Sequence, residues 1–364
     1  MITIHQAPSG AYKGGFTLIT EKCDLLVNNR TAIAKKFSGE NNLMCIAAGV
    51  IYTMADENVD IEKMAECRKL LKEQAGFFSE LRKMAELIIL SKMTLSEDPK
   101  KYISDLKSVY DKVKDAKFKD SPYLVLACVI ICDLGVSDDC DKIIERAKEI
   151  MDRMEKEHPI LTSKSDFSFI MFLALSYKDV DTILKDMEEG YDYLKNTYKL
   201  NVTGNAMQGL CELLAVTYGE MQSKCDRVVR IYKTFKNHKS AYGSDAEFSA
   251  LGILADIDES PEKLVDEIIE VADYLKEQSG FTDKVSDRKQ RLMYATLLVA
   301  DVYSRNADVL HNPLISNTLS ILTTQRIVKT ITVLVNIATQ VLPAVLDGAT
   351  STSSTDSAKA GDDK

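Results

Sequence analysis

Two kinds of segment alternate between about residues 41 and 304. One is charged, with an apolar residue at every third or fourth position, as in Pro99-Lys-Lys-Tyr-Ile-Ser-Asp-Leu-Lys-Ser-Val-Tyr110. That spacing places the apolar side chains on one helical stripe and leaves the rest to water. The other is apolar almost throughout, as in Tyr123-Leu-Val-Leu-Ala-Cys-Val-Ile-Ile-Cys132, which suits a helix buried on every side. The apolar segments predict A helices over about 41–55, 77–93, 121–134, 165–177, 203–217, 244–256 and 286–304. The amphipathic ones predict B helices over about 59–75, 98–116, 138–157, 179–198, 221–237 and 261–278. No strong period-two strand pattern interrupts them.

Two columns of residues share one period. Cys67, Tyr110, Met151, Tyr191, Tyr232 and Ala272 recur in the B helices at intervals of 43, 41, 40, 41 and 40. An apolar residue follows each at i+3, on the same helical face. Small residues recur late in the A helices, at Ser91, Cys132, Ala174, Ala215, Ala255 and Ala300. Short side chains let two helices approach closely, so this second column marks a recurring helix crossing.

Helix starts fall in phase with the columns. Asp98-Pro99 and Ser260-Pro261 each put a capping oxygen before a proline suited to the first helical position. Ser137-Asp138-Asp139 begins another helix, with acids at the positive end of its dipole. The unit reads as an A helix, a short acidic turn, a B helix and a slightly longer polar loop. A single hairpin cannot cover its own A helix, so neighbours must stack. The expected fold is all-α, with about six to seven αα-hairpins forming a HEAT- or TPR-like solenoid or closing into an α/α ring. The tetratricopeptide pattern itself is missing, since the chain has no Trp.

The ends depart from the repeat. Residues 1–16 are expected to be a flexible start to the helical-repeat domain of 17–305, whose leading helix (17–37) would cap the stack. Residues 306–347 form an apolar C-terminal helical segment and 348–364 a polar, low-complexity tail expected to be disordered. The 17 residues from Thr330 to Leu346 carry no charge, but Thr330, Thr332, Asn336, Thr339, Gln340 and Pro343 interrupt them. That is too short and too polar for an ordinary membrane span. Docking on the solenoid is the expectation for this helix, with oligomerisation or partner binding, or membrane contact through 320–346, as alternatives.

Composition narrows the function classes. The 364 residues carry a net charge of −9, with Lys and Arg interleaved among Asp and Glu. No basic patch offers a nucleic-acid interface. Eight cysteines are spread without C-x2-C pairs, and Cys128 and Cys132 lie inside an apolar run. They read as reduced packing residues of a cytoplasmic protein, and the N-terminus lacks the pattern of a secretory signal.

Chemistry is sparse. Gly-rich phosphate loops, H-E-x-x-H, EF-hand and G-x-S-x-G patterns are all missing. His5, His158, His238 and His311 have no ligand partner at helical spacing, so no metal, cofactor or catalytic residue is assigned. Paired acids such as Asp138-Asp139 and Asp256/Asp258 read as helix caps. Tyr110, Tyr191 and Tyr232 could line an inner B-helix surface, although their i, i+3 spacing favours packing. Two stretches are less generic: His158-Pro-Ile-Leu-Thr-Ser-Lys-Ser-Asp166, and Arg288-Lys-Gln-Arg-Leu-Met-Tyr-Ala295 with its three cations.

With Phe167 to Leu175 after the first stretch and Leu297-Leu-Val-Ala-Asp301 after the second, the chain resembles an uncharacterised bacterial family, domain of unknown function 4003, over about residues 20–305. Such proteins have a His-Pro-aromatic-Leu-Thr loop leading to paired acids, and an Arg-Leu-Met-Tyr-Ala-Ala helix ending in Val-Ala-Asp. Here Ile160 replaces the aromatic, Ser165 the first acid and Thr296 one alanine. A role needing two carboxylates in that loop is therefore not carried over. The resemblance implies an all-helical fold and no particular activity.

The function expected from these features is non-catalytic: a helical-repeat scaffold binding a peptide, a protein or its own C-terminal helix in the groove. Candidate partner-binding residues are His158, Asp166, Tyr191, Tyr232, Arg288, Arg291 and Tyr294. The alternatives are an enzyme with a central ring pocket containing Asp166, Arg288, Arg291 and Tyr294, and a membrane-peripheral protein.

Overall fold

The computed structural model describes residues 15–304 except 78, 158–161, 163–165, 177 and 217–218, all within one compact unit, Met1–Thr324. The expectations for residues 1–14, for the C-terminal segment and for the tail fall outside the described residues. Fourteen α-helices and no strand occur among the described residues. The B set is α1 (Gly15–Lys36), α3 (Ile61–Gln74), α5 (Pro99–Asp115), α7 (Cys140–Glu157), α9 (Val180–Tyr193), α11 (Met221–Asn237) and α13 (Pro261–Lys276). The A set is α2 (Asn42–Met54), α4 (Glu86–Leu95), α6 (Pro122–Asp133), α8 (Phe167–Leu175), α10 (Gly204–Val216), α12 (Ala246–Ser249) and α14 (Arg288–Ser304).

The predicted caps are in place. Asp98 Oδ1 accepts from the backbone N–H groups of Lys100 (2.9 Å) and Lys101 (3.0 Å), and Ser260 Oγ accepts from that of Lys263 (3.2 Å). Ser137–Asp139 forms a 3-10 turn leading into α7 rather than its first turn.

Pairing runs the other way from the expected unit. Six of the seven B helices pack most closely on the A helix that follows: α1 on α2, α3 on α4, α5 on α6, α7 on α8, α9 on α10 and α13 on α14, whereas α11 packs mainly on its outer neighbours α9 and α13. The reason lies in the stripes, because the longer B-to-A loop lets a B helix fold back and cover its successor. The leading helix is thus no cap; it is the B helix of a first hairpin, which makes seven.

The A helices form an inner layer, buried all round from Tyr123 to Ile131 and from Phe167 to Ala174. The B helices form the outer layer and keep one charged face in water. An inner surface made of B helices, as the tyrosine column suggested, is not how the layers lie. All eight cysteines are free thiols, seven of them buried and Cys132 half-buried. Burial pushes the Cys132 thiol up to about 12 and raises that of Cys128 well above its ordinary value, so they serve as packing groups.

The row of hairpins closes on itself. Each outer helix contacts the next, and α1 packs against both α13 and α14. At this seam Lys22, almost fully buried, reaches Asp301 (2.8 Å), Asp56 (2.7 Å) and the carbonyl of Thr53 (2.6 Å). Asn42 Nδ2 donates to the carbonyl of Gly280 (3.0 Å), and Asn42 Oδ1 accepts from Arg30 Nε (2.9 Å). Gly280 has a φ of +88°, and the Arg30 guanidinium fills the space a Cβ would take. Closure therefore requires glycine there. Of the two expected architectures, the described residues form the α/α ring.

Two A helices differ from expectation. α4 starts at Glu86, because residues 75–85 form a loop held by Arg82 Nη1 on the Ala75 carbonyl (3.3 Å) and by Ser79 Oγ accepting from the Leu81 N–H (3.3 Å). α12 is four residues long and continues as a 3-10 turn over Ala250–Leu254. There a Cβ on Gly252 would lie 3.0 Å from Leu210 Cδ1, so α10 and this turn touch nearly backbone to side chain.

Candidate functional site

The B-to-A loops share one end of the ring, and most of the residues singled out from the sequence stand at that end or one turn from it. His158 lies outside the described residues. Asp166 precedes α8 and is buried. Arg291 is fully buried, but its own loop claims it. It donates to the carbonyls of Phe281 (3.0 Å) and Ser286 and pairs with Asp283 (2.7 Å). Tyr294 is also fully buried, edge-on to Phe281 with centroids 6.2 Å apart. Arg288 pairs with Asp273 and reaches Ser240 Oγ (3.3 Å). These three side chains brace the α13–α14 connection.

The tyrosines pack. Tyr232 meets Phe248 edge-on at 5.1 Å, and Lys195 lies 5.7 Å over the Tyr191 ring. Tyr191 also borders a void of about 20 Å³ beside Gln208 and Cys211. Both tyrosines are half-buried, and burial raises the pKa of each.

Asp166 instead has neighbours that sequence reasoning missed. Glu212 stands in the middle of α10 with no exposed surface. Gln208, one turn earlier, donates from Nε2 to Glu212 Oε1 (3.2 Å). Glu212 Oε2 and Gln208 Oε1 are buried without a hydrogen-bond partner among the described residues. Burial first, and then the Asp166 charge, push Glu212 well above the usual carboxylate range. The same two causes push Tyr123, on α6, up to about 12. The Ser168 hydroxyl donates to the Tyr123 carbonyl (2.8 Å) and ties α8 to α6. Three successive inner helices therefore bring a phenol, an aspartate and a glutamic acid into one electrostatic neighbourhood.

A signal for Glu212 existed in the sequence. Three residues before each member of the small-residue column stand Ile88, Val129, Met171, Glu212, Gly252 and Leu297. Glu212 is the one ionisable side chain at that register, in the layer where all the others are apolar or glycine. An acid there costs desolvation and gains no compensating cation. Chemically, burial favours the neutral carboxylic acid, which can donate a proton or a hydrogen bond. Among the described residues no three His, Cys, Asp or Glu side chains gather as a metal-holding group, and no helix is long and apolar enough to cross a membrane.

No curated protein and no solved structure matches the chain. The family model described as a protein of unknown function (DUF4003) matches residues 29–332. That span runs from the last turns of α1 through α14, most of the chain, so the chain belongs to the DUF4003 family.

Proposed function

We propose that the protein binds and transforms a small polar molecule reached from the loop end of the ring, with Glu212 in the wall holding the transferable proton and Asp166 the charge beside it. The observation that carries this is Glu212 itself: a fully buried acid in an apolar layer, with Oε2 unpartnered among the described residues. Buried polar groups are nearly always satisfied, and exceptions concentrate at working sites. A raised acid beside a second carboxylate is the usual arrangement for general acid–base work. Gln208 orients the carboxyl through its amide, and Tyr123 adds a neutral hydroxyl to the same neighbourhood.

Peptide capture along the stack has less support. The inner helices are buried on every side, and the outer face is charged. Among the described residues, Phe77 and Val285 are the exposed large hydrophobic side chains, too few and too scattered for a protein-docking patch. A cytoplasmic setting suits eight unpaired thiols.

The test compares full-length protein with Glu212→Gln and Asp166→Asn in a metabolite extract followed by mass spectrometry. Wild type should deplete at least one metabolite that Glu212→Gln leaves untouched while melting at the same temperature. Identical metabolite profiles for all three proteins would remove the proposal.

A further inference from the structure

A second concave feature lies on the outside of the same end, between the α5–α6 loop and α7. Its volume is about 490 Å³, within the range that accommodates a drug-sized ligand. Phe118 and Phe167 form its apolar wall, ring centroids 4.2 Å apart and 30° from parallel, and Met151 extends that wall along α7. Phe118 is only half-buried, so part of its ring remains available. Thr162 also lines the cleft; it is 7% exposed, and its hydroxyl has no hydrogen-bond partner among the described residues.

Three cations surround this wall: Lys117, Lys119 and Lys148. Their neighbours are spoken for, since Lys112 pairs with Asp141, Lys114 with Asp120 and Lys142 with Asp139. None of the three cleft lysines has an ion-pair partner among the described residues. Lys117 sits at a φ of +69°, a conformation that L side chains rarely adopt and that recurs where a loop must aim a residue. On the α7 side, Asp152 and Glu155 line the cleft as well. The local balance is thus one positive charge, on a chain whose net charge is −9.

We infer that this cleft binds a small anion carrying a flat apolar ring: the ring stacks on Phe118 and Phe167, the anionic group faces the three lysines, and Thr162 donates its hydroxyl. Asp152 and Glu155 follow Lys148 along α7, so the anionic end of a ligand is directed to the lysines and away from these acids. The chemistry requires a planar ring plus a carboxylate, sulfonate or phosphate, and it does not depend on Glu212. The cleft and the interior acid can therefore be tested separately.

The experiment is a fluorescence titration of full-length protein with 8-anilinonaphthalene-1-sulfonate, followed by displacement with 2-naphthoate and, separately, adenosine monophosphate. One-to-one binding is expected, weakened about tenfold by Lys148→Glu and by Phe118→Ala, and also weakened by salt. Lys148 is exposed, so its reversal leaves folding intact, which circular dichroism checks. Lys185→Glu on α9 serves as a control and should bind as wild type, as should Glu212→Gln. Displacement by naphthoate identifies a carboxylate ligand, and displacement by the nucleotide a phosphate one. Absence of saturable binding, or equal affinity in Lys148→Glu or in Phe118→Ala, overturns the inference.

Discussion

Among the buried ionisable side chains of the ring, Lys22 and Glu212 have opposite surroundings. Lys22, at the seam, is matched by Asp301 and Asp56 and by the Thr53 carbonyl. Glu212, in the wall between α8 and α12, has Gln208 on one oxygen and no hydrogen-bond partner on the other among the described residues. The first is a charge brought inside together with its compensation, and it joins the first and last described helices. The second is an acid whose burial favours the neutral form. Burial alone therefore does not distinguish structure from chemistry; the partner set does.

Breaking the seam should have the largest effect. Lys22→Ala leaves Asp301 buried without its cation and should cost about 3–5 kcal/mol, measured by urea unfolding. The double variant Lys22→Met/Asp301→Leu should recover most of that loss, because apolar replacement of both partners is often neutral. A double variant as unstable as the single one would show that the seam depends on more than the ion pair.

Next in size is Gly280→Ala. The positive φ and the Arg30 guanidinium both oppose a Cβ, and a loss of about 1–3 kcal/mol is expected. Thermal melting reads it directly.

Glu212 should sharpen the comparison through pH. Its folded pKa is raised above the usual 4.5, so the folded protein holds the proton more tightly than the unfolded chain does. The stability contributed by the neutral form is complete below pH 4.5 and declines as pH rises toward the folded value. The decline is at most about 1.4 kcal/mol per pH unit for one proton. Glu212→Gln should remove that component of the slope. An unchanged slope would mean that another group titrates there.

The smallest effect should come from a cap. Asp98→Ala removes two backbone hydrogen bonds at the start of α5 and should cost about 1 kcal/mol.

Much of the architecture was legible because it is written in local periods. The B helices are one-sided and the A helices uniformly apolar, and both patterns can be counted along the chain. Which B helix covers which A helix is a tertiary choice that turn lengths did not reveal. Closure depends on contacts such as Lys22 with Asp301, made between residues too far apart in sequence for any window to register. α4 was placed too early because Phe77, Leu81 and Met84 continue an apolar rhythm through what is a loop. The break after α12 follows from the closeness of Gly252 to Leu210, a contact between two hairpins.

The candidate site was less legible for a different reason. The residues chosen from the sequence were polar ones in loops and at helix starts. Asp166 belongs to that class and stands beside the interior acid. Arg291 belongs to it too, yet its guanidinium holds the loop of Phe281, Asp283 and Ser286. Glu212 lies inside an apolar helix, and only alignment to its five counterparts makes it conspicuous.

A ring also constrains how the molecule is made. Asp301 belongs to the final described helix, so Lys22 cannot meet it until nearly the entire domain has left the ribosome. Until then the first hairpin stands with one flank uncovered, and the intermediates of synthesis are open arcs whose two exposed edges have the same complementarity that later joins them. Two nascent copies held close together could join edge to edge, so the final step of folding competes with its own intermolecular version.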